Sequence, residues 1–482
     1  MEKGKIIGII TLVFVCSLLI RLPNLNRPLS KHHEFITAVS LRVLQIWEKD
    51  SPSNYHYSPV MNYPGEANKW INNHASPTGK MVDDKGNYYY ISHPPLAYLL
   101  PHYTFKLLHV KPTVLSIQLF LVSCSLLTGL FVYLISLYSW PDEKIEKRQK
   151  LALISYTLYM LSPAVLWFQG NTYMSDILVH TFFASTIYFI IRTINSKGAF
   201  KWMTLFCISL FLMIYTSWLG MFMAVSLVIL GLFRWKNAHF RKLLLPTFIV
   251  TISALGLIVL QYSTIAGIEN LIEQLNQRLD IRGSVSSENS GPFIVSKVKE
   301  LVLLTMNYGI LYFPILLLLI YSFIKKQKLL SSLNKSIFFL MISPIVILHF
   351  TLLNYSGHDF TSLYASIVLS IVGGVLIISF SGVKRSLVLT SVLVLCISSY
   401  YYINRPGKYS WKGDFYAASM NQGLAIKKQA DETKTIFYIT TNLDPMIIVY
   451  AERNIIPVAS EHEIDKHILE KNIEDWQLIR SD

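Results

Sequence analysis

The sequence predicts an all-α polytopic membrane protein of about eleven transmembrane helices, carrying a small extracytoplasmic α/β domain at its C-terminus. Three observations predict it. Of the 482 residues, 52% are hydrophobic and only 15% are charged, against about 25% charged in an ordinary soluble domain. Mean hydropathy is +0.42. The third observation is where the charge sits. The chain carries a net charge of +14, and the short loops 1–5, 140–150, 192–201, 234–242, 325–335 and 382–386 hold 19 of its 43 Lys and Arg residues but only 4 of its 29 acids. Basic loops between apolar runs are the positive-inside pattern of a membrane protein. A nucleic-acid-binding stripe would be continuous on a polar domain, so nucleic acid is excluded as a partner. Disorder and a disulfide-rich scaffold are excluded by the same composition.

The elements follow in order. Residues 6–20 are apolar, preceded by Lys3 and Lys5, and followed by Arg21-Leu22-Pro23-Asn24 with no small-residue cleavage site. This reads as an uncleaved first span with its N-terminus inside. Ten further spans are predicted at 115–139, 151–168, 176–194, 202–216, 219–233, 243–262, 301–324, 336–353, 363–381 and 386–403. Splitting 202–233 into two spans around Tyr215-Thr216-Ser217-Trp218-Leu219-Gly220 puts every basic short loop on the cytoplasmic side. The loops 169–175 and 354–362, which contain no Lys or Arg, then fall outside.

Three extracytoplasmic segments are long enough to fold. In the first, 23–113, helical apolar spacing predicts a helix at 34–49 in the membrane interface. Residues 51–92 read as a loop, and Pro94-Pro95 opens an apolar helix to about His109. In the second, 263–300, GIENLIEQLNQRL reads as an amphipathic helix and GSVSSENSGP as a loop. The third, 404–482, holds strands at KTIFYITT and NIIPVA with DPMIIVYAER as a helix between them. Domain boundaries are thus 1–403 for the membrane part and 404–482 for the α/β part. The four cysteines, Cys16, Cys124, Cys207 and Cys396, lie in apolar runs without metal-ligand spacing, as small packing residues.

Acids are scarce in the membrane region. Asp176 is the only one between 151 and 268, and Asp359 the only one between 301 and 413. Both fall at extracytoplasmic ends of spans, as does Glu34. Ionisable groups in a membrane are expensive and commonly functional, although each of these can also be a solvated loop residue or a helix cap. His32-His33-Glu34 is the densest cluster: a carboxylate beside two imidazoles can act as a general base or hold a divalent metal ion.

Ile91-Ser92-His93-Pro94-Pro95-Leu96-Ala97-Tyr98-Leu99-Leu100 resembles the His-Pro-Pro-Leu-Tyr-Tyr-Leu segment of the polyprenyl-phosphate-sugar-dependent glycosyltransferases. These are the GT-C class, which includes protein O-mannosyltransferases and the aminoarabinose transferase of lipid A. Leu161-Ser162-Pro163, Met174-Ser175-Asp176 and His358-Asp359 follow in the same order. The resemblance covers about 1–235 well and the later spans weakly. It implies the GT-C fold, a sugar donor on a polyprenyl phosphate, and inverting transfer to a hydroxyl of a lipid, glycan or protein acceptor. It further implies an active site on the extracytoplasmic side of the plasma membrane. Relatives carry Asp-Glu in the first loop; here the pair is His33-Glu34, which leaves Glu34 or His33 as the base. At the turn where relatives often have Leu-Thr-Lys, this chain has Tyr215-Thr216-Ser217. The expected catalytic residues are Glu34, His33 and Asp176, and the expected substrate-binding residues are His32, His93, Tyr173, His358, Asp359 and Arg282. Candidates to meet the leaving lipid phosphate are Arg278, Arg282, Lys297, Lys299 and His358.

Two other classes compete. A lipid-linked sugar flippase or transporter also places charges in the membrane, but the long first loop and the lack of a two-half inverted repeat favour an enzyme. A sensor or scaffold built on 404–482 gives no reason for three isolated acids on one face. The topology predicts that single cysteines placed within 410–480 are labelled by an impermeant maleimide in intact cells. Labelling only after permeabilisation would refute the odd span count.

Overall fold

The computed structural model describes residues 2–29, 33–70, 79–283, 295, 297–298, 301–302, 332–403, 415–440, 443–471 and 473–480. Its membrane part contains α1 (Lys3–Arg21), α2 (Glu34–Lys49), α3 (Leu96–Leu107), α4 (Val114–Tyr138), α5 (Ile145–Met160), α6 (Pro163–Asn171) and α7 (Ser175–Asn195). There follow α8 (Phe200–Thr216), α9 (Leu219–Phe233), α10 (Ala238–Ala266), α11 (Ile268–Gly283), α12 (Ser332–Thr351), α13 (Ala365–Ile378) and α14 (Gly382–Ile403). Ten of the predicted spans coincide with helices. The span predicted at 301–324 lies, beyond residue 302, outside the described residues. Among the described residues, six helices are long and apolar enough to cross a membrane, or seven if α5 and α6 form one bent span. The chain is a multi-pass membrane protein.

Local chemistry explains where the helices start and break. Thr113 and Ser116 form a reciprocal cap at the head of α4: Thr113 Oγ1 accepts from the Ser116 N–H at 3.1 Å, and the Thr113 N–H reaches Ser116 Oγ at 2.8 Å. The predicted span 151–168 is broken. Pro163 cannot continue α5, because it lacks an N–H and its ring clashes with the preceding turn; it opens α6 instead, at a 57° bend. The wholly buried Arg21 braces this break. Its guanidinium donates to the Val165 and Leu166 carbonyls at 3.0 and 3.2 Å and to Ser17 Oγ at 2.7 Å, as a buried charge must. Around it α4 packs on α5 and α7, α7 on α8, and α13 on α5.

Helix α2 occupies its predicted span. Its apolar face, with Ala38, Leu41, Val43, Leu44, Ile46 and Trp47 buried, is covered by α3 and by Pro445–Ala451 of the C-terminal region. That region contains α15 (Phe415–Gln429), β1 (Thr435–Ile439), α16 (Pro445–Ala451), β2 (Ile456–Val458), α17 (His462–Lys471) and β3 (Trp476–Ile479). The sheet order is β2-β1-β3, with β1 parallel to both neighbours. The sequence predicts β1 and β2 but not β3. The region docks on the first loop through Asn454. Asn454 Oδ1 accepts from Arg42 Nη2 at 3.0 Å, and Asn454 Nδ2 donates to the Asn68 carbonyl at 2.7 Å.

The α8–α9 turn depends on Gly220, where an added Cβ would stand 2.5 Å from the Ile214 backbone N and Cα. Backbone cannot yield as a side chain can, and overpacking of this kind costs about 1–3 kcal/mol. Gly220→Ala is therefore expected to lower the melting temperature in detergent. Gly256→Ala, within α10 and with open space at its Cβ, should leave it unchanged or raise it.

Candidate active site

The scarcity of acids in the apolar sequence leads to the centre of the site. Asp176, at the head of α7, is 3% exposed. Its Oδ1 accepts from Tyr364 Oη at 2.8 Å and from Ser217 Oγ at 3.0 Å, and its Oδ2 accepts from Ser175 Oγ at 3.2 Å. His93 Nδ1 lies 3.9 Å from Oδ2. Four separate segments meet here: the head of α7, the α8–α9 turn, the 3₁₀ helix Asp359–Tyr364, and the strand of loop entering α3. The loop is pinned in place by its backbone carbonyls, since Trp218 Nε1 donates to Ser92 O at 2.9 Å and Tyr262 Oη to His93 O.

Burial drives His93 down to about 3, against the pull of Asp176 and with a further push from Arg282 and Arg278. Its imidazole is therefore neutral at physiological pH. The two arginines, one turn apart on α11, are thus within electrostatic reach of the Asp176 cluster. The guanidinium of Arg282 sits 5.0 Å from the centre of the Tyr355 ring, and that of Arg278 5.4 Å from the Tyr90 ring. Burial lowers Arg278 from its ordinary value.

The second polar group forms where α2 begins. His33 caps the helix in the left-handed region, at φ 58°. Its Nε2 is 2.6 Å from Asp359 Oδ1, and its ring meets those of His358 and Phe360 edge-on. His358 stacks on Phe360, and Tyr355 packs against both. At about 2.0 Å per residue, the 3₁₀ helix spans about 10 Å from Asp359, which holds His33, to Tyr364, which holds Asp176. One short element thus ties the two groups together.

Glu34 is placed differently. It is wholly buried, and both of its oxygens are taken by Arg27, Nη2 to Oε1 at 2.7 Å and Nη1 to Oε2 at 2.9 Å. Arg27 also donates to Asn24 Oδ1 and Pro28 O. This is a fork-to-fork pair, and it ties the head of α2 to the loop before it. Tyr173 is likewise tied into the fold. It is fully buried, its hydroxyl donates to Ala97 O at the head of α3, and its N–H donates to Thr37 Oγ1 at 2.8 Å. Lys297 donates to His349 O at 2.6 Å. His32 and Lys299 lie outside the described residues.

No family model matches the chain, and no curated protein does. Solved structures do. ArnT from Cupriavidus metallidurans bound to undecaprenyl phosphate superposes with a TM-score of 0.60 at 12% identity, over 96% of this chain and 88% of that one. The chain has a GT-C-type fold. The Archaeoglobus fulgidus oligosaccharyltransferase in its apo form is similar at TM-score 0.61 and 11% identity, over 95% of this chain; the match spans 65% of that protein's length. Its complex with an inhibitory peptide and a dolichol-phosphate gives TM-score 0.57 at 10% identity, over 94% of this chain and 64% of that one.

Within this GT-C-type fold, sequence reasoning missed Arg27, Ser217 and Tyr364. Arg27 is the signal that was available, a cation seven residues before a buried acid; Ser217 and Tyr364 carry no charge to mark them. Among the described residues, no group of three or more His, Cys, Asp or Glu side chains is set to hold a metal ion.

A buried neutral histidine has a pH signature. The folded protein holds His93 at about 3, whereas the unfolded chain titrates near 6.5. Below pH 6.5 the unfolded state takes up the proton that the folded state refuses, so stability is lost as pH falls from about 6.5 towards 3. His93→Gln is expected to flatten that part of the stability curve, measured by thermal melting in detergent between pH 7 and 4.

Proposed function

We propose that the protein is a membrane glycosyltransferase that moves a sugar from a polyprenyl-phosphate donor to an acceptor hydroxyl on the extracytoplasmic face, with inversion. The observation that carries the reading is the convergence of the motif residues on one connected polar centre: His93, Asp176, His33 and Asp359, with Arg282 beside them, in a chain of GT-C-type fold. ArnT has been solved with undecaprenyl phosphate and the oligosaccharyltransferase with dolichol-phosphate, which supports a lipid phosphate as the donor carrier.

In this mechanism His33 is the general base. His33 Nε2 stands 2.6 Å from Asp359 Oδ1, a contact that orients the ring and leaves Nδ1 to take the proton. The acceptor oxygen attacks the anomeric carbon from the face opposite the phosphate and gives its proton to Nδ1. The bond from C1 to the phosphate oxygen breaks, and the electron pair leaves with the lipid phosphate. Arg278 and Arg282 meet the charge that develops there. Asp176 orients sugar or acceptor hydroxyls, with Tyr364 and Ser217 holding its carboxylate still. Glu34 acts through Arg27 as a positioning residue.

The experiment is transfer of radiolabelled sugar from a panel of polyprenyl-phosphate sugars by the purified full-length protein. Movement of labelled lipid across liposomes without transfer would instead identify a flippase. His33→Ala is expected to lower kcat by ~10²–10⁴-fold with an unchanged melting temperature. Glu34→Gln breaks a buried pair, a change that costs about 3–5 kcal/mol, so its main effect is expected in the melting curve. A Glu34→Gln protein that melts like wild type yet transfers nothing would return the base to Glu34.

A further inference from the structure

The C-terminal end of α2 and the C-terminal half of α3 enclose a cleft of about 540 Å³ away from the Asp176 centre. Its buried wall is made by Trp47, His102 and Phe105; Lys106 and Lys111 are exposed at its edge. The indole of Trp47 and the imidazole of His102 meet edge-on, with ring centres 5.5 Å apart.

Two features set this cleft apart from a structural crevice. Trp47 Nε1 and His102 Nε2 are both buried, and neither finds a hydrogen-bond partner among the described residues. The indole N–H can only donate, and a buried donor left without an acceptor is costly. A bound oxygen atom would remove that cost. Lys106 and Lys111 also make no ion pair among the described residues. The neighbouring charges differ: Lys49 is paired with Glu452 at 3.1 Å, and Asp50 accepts from Asn54 Nδ2 and the Ser51 N–H. Two available cations therefore flank a pair of buried hydrogen-bonding rings. Burial, with Lys106 nearby, holds His102 below its ordinary value, so it is neutral and can donate or accept one hydrogen bond. Glu48, exposed at the edge of the cleft, is an acceptor suited to hydroxyls.

We propose that this cleft binds a phosphate-bearing saccharide, with Lys106 and Lys111 on the phosphate and with Trp47, His102 and Glu48 on the saccharide oxygens. The site is distinct from the His33–Asp176 centre and does not depend on the transfer reaction. The ligand has two sources, a water-soluble sugar phosphate or the headgroup of a membrane lipid. Leu107 and Leu108, exposed apolar residues that follow Lys106 in sequence, suit a bilayer surface.

The test is calorimetric titration of the full-length protein in detergent with glucose 1-phosphate, glucose and inorganic phosphate. Saturable binding of glucose 1-phosphate, at least tenfold tighter than either fragment, is expected. Trp47→Phe keeps an aromatic ring but removes the indole N–H, and should weaken binding about tenfold. The double variant Lys106→Gln/Lys111→Gln alters only exposed side chains, so it keeps the fold, and should weaken binding by tenfold or more. Competition by phosphatidylinositol in nanodiscs, absent with phosphatidylcholine, would assign the lipid source, and lack of competition the soluble one. No saturable binding of glucose 1-phosphate, or equal affinity in wild type and the double-lysine variant, would overturn the proposal.

Discussion

A carboxylate buried in a membrane protein must be surrounded by donors, and the carboxylate of Asp176 imposes that requirement on four segments at once. An unpaired ionised group in such a place costs several kcal/mol or more. Tyr364, Ser217 and Ser175 supply the hydrogen bonds, and His93 stands at the edge of contact. Satisfying one side chain therefore fixes the α8–α9 turn, the 3₁₀ helix and the entry to α3 relative to α7. The bundle behind it is arranged to permit this. Arg21 holds the broken α5–α6 pair, whose far end leads directly into the loop before Asp176.

The same constraint divides the labour in the first loop. His33 and Glu34 are neighbours in sequence but point into different environments, because helix α2 begins between them. Glu34 is the first helical residue and turns inward, where the bidentate grip of Arg27 neutralises it. His33 is the cap, outside the helix, and turns towards Asp359. Both Glu34 oxygens accept from the guanidinium, whereas the His33 imidazole is oriented by a carboxylate. The adjacent motif residues thus separate into one held by a guanidinium and one set against a carboxylate.

Much of this was legible in the sequence, and the failures have physical causes. Helix 34–49 was readable to the residue because its apolar spacing is regular and its first position is acidic. Asp176 and Asp359 stand out in the sequence because acids are scarce in its apolar part. The break at Pro163 was visible as Leu-Ser-Pro but was absorbed into one apolar run, since hydropathy does not register direction. Strand β3 was missed because only its last residue, Ile479, is buried, so no alternation marks it. Arg27 was hidden by the abundance of other cations, and Ser217 and Tyr364 by their neutrality: hydrogen-bond partners of a buried charge are chosen by tertiary position, which local pattern does not encode.

The position of the C-terminal region follows from the strain in the loop it covers. His33 adopts a left-handed conformation, which costs a non-glycine residue of order 1–3 kcal/mol and persists only where the surroundings over-determine it. Part of that determination comes from the far end of the chain. Tyr450 Oη accepts from the Leu29 N–H at 3.0 Å, just after Arg27. Helix α16 packs along α2, Glu452 pairs with Lys49 at the other end of the same helix, and Asn454 joins Arg42 to Asn68. Helix α2 is thereby gripped along its length by residues 445–454, while its first turn is gripped by Arg27. With both ends fixed, the cap residue has one place left to go, and that place sets its imidazole on Asp359. The α/β region therefore contributes to the site without entering it, by removing the alternatives that a strained first loop would otherwise adopt.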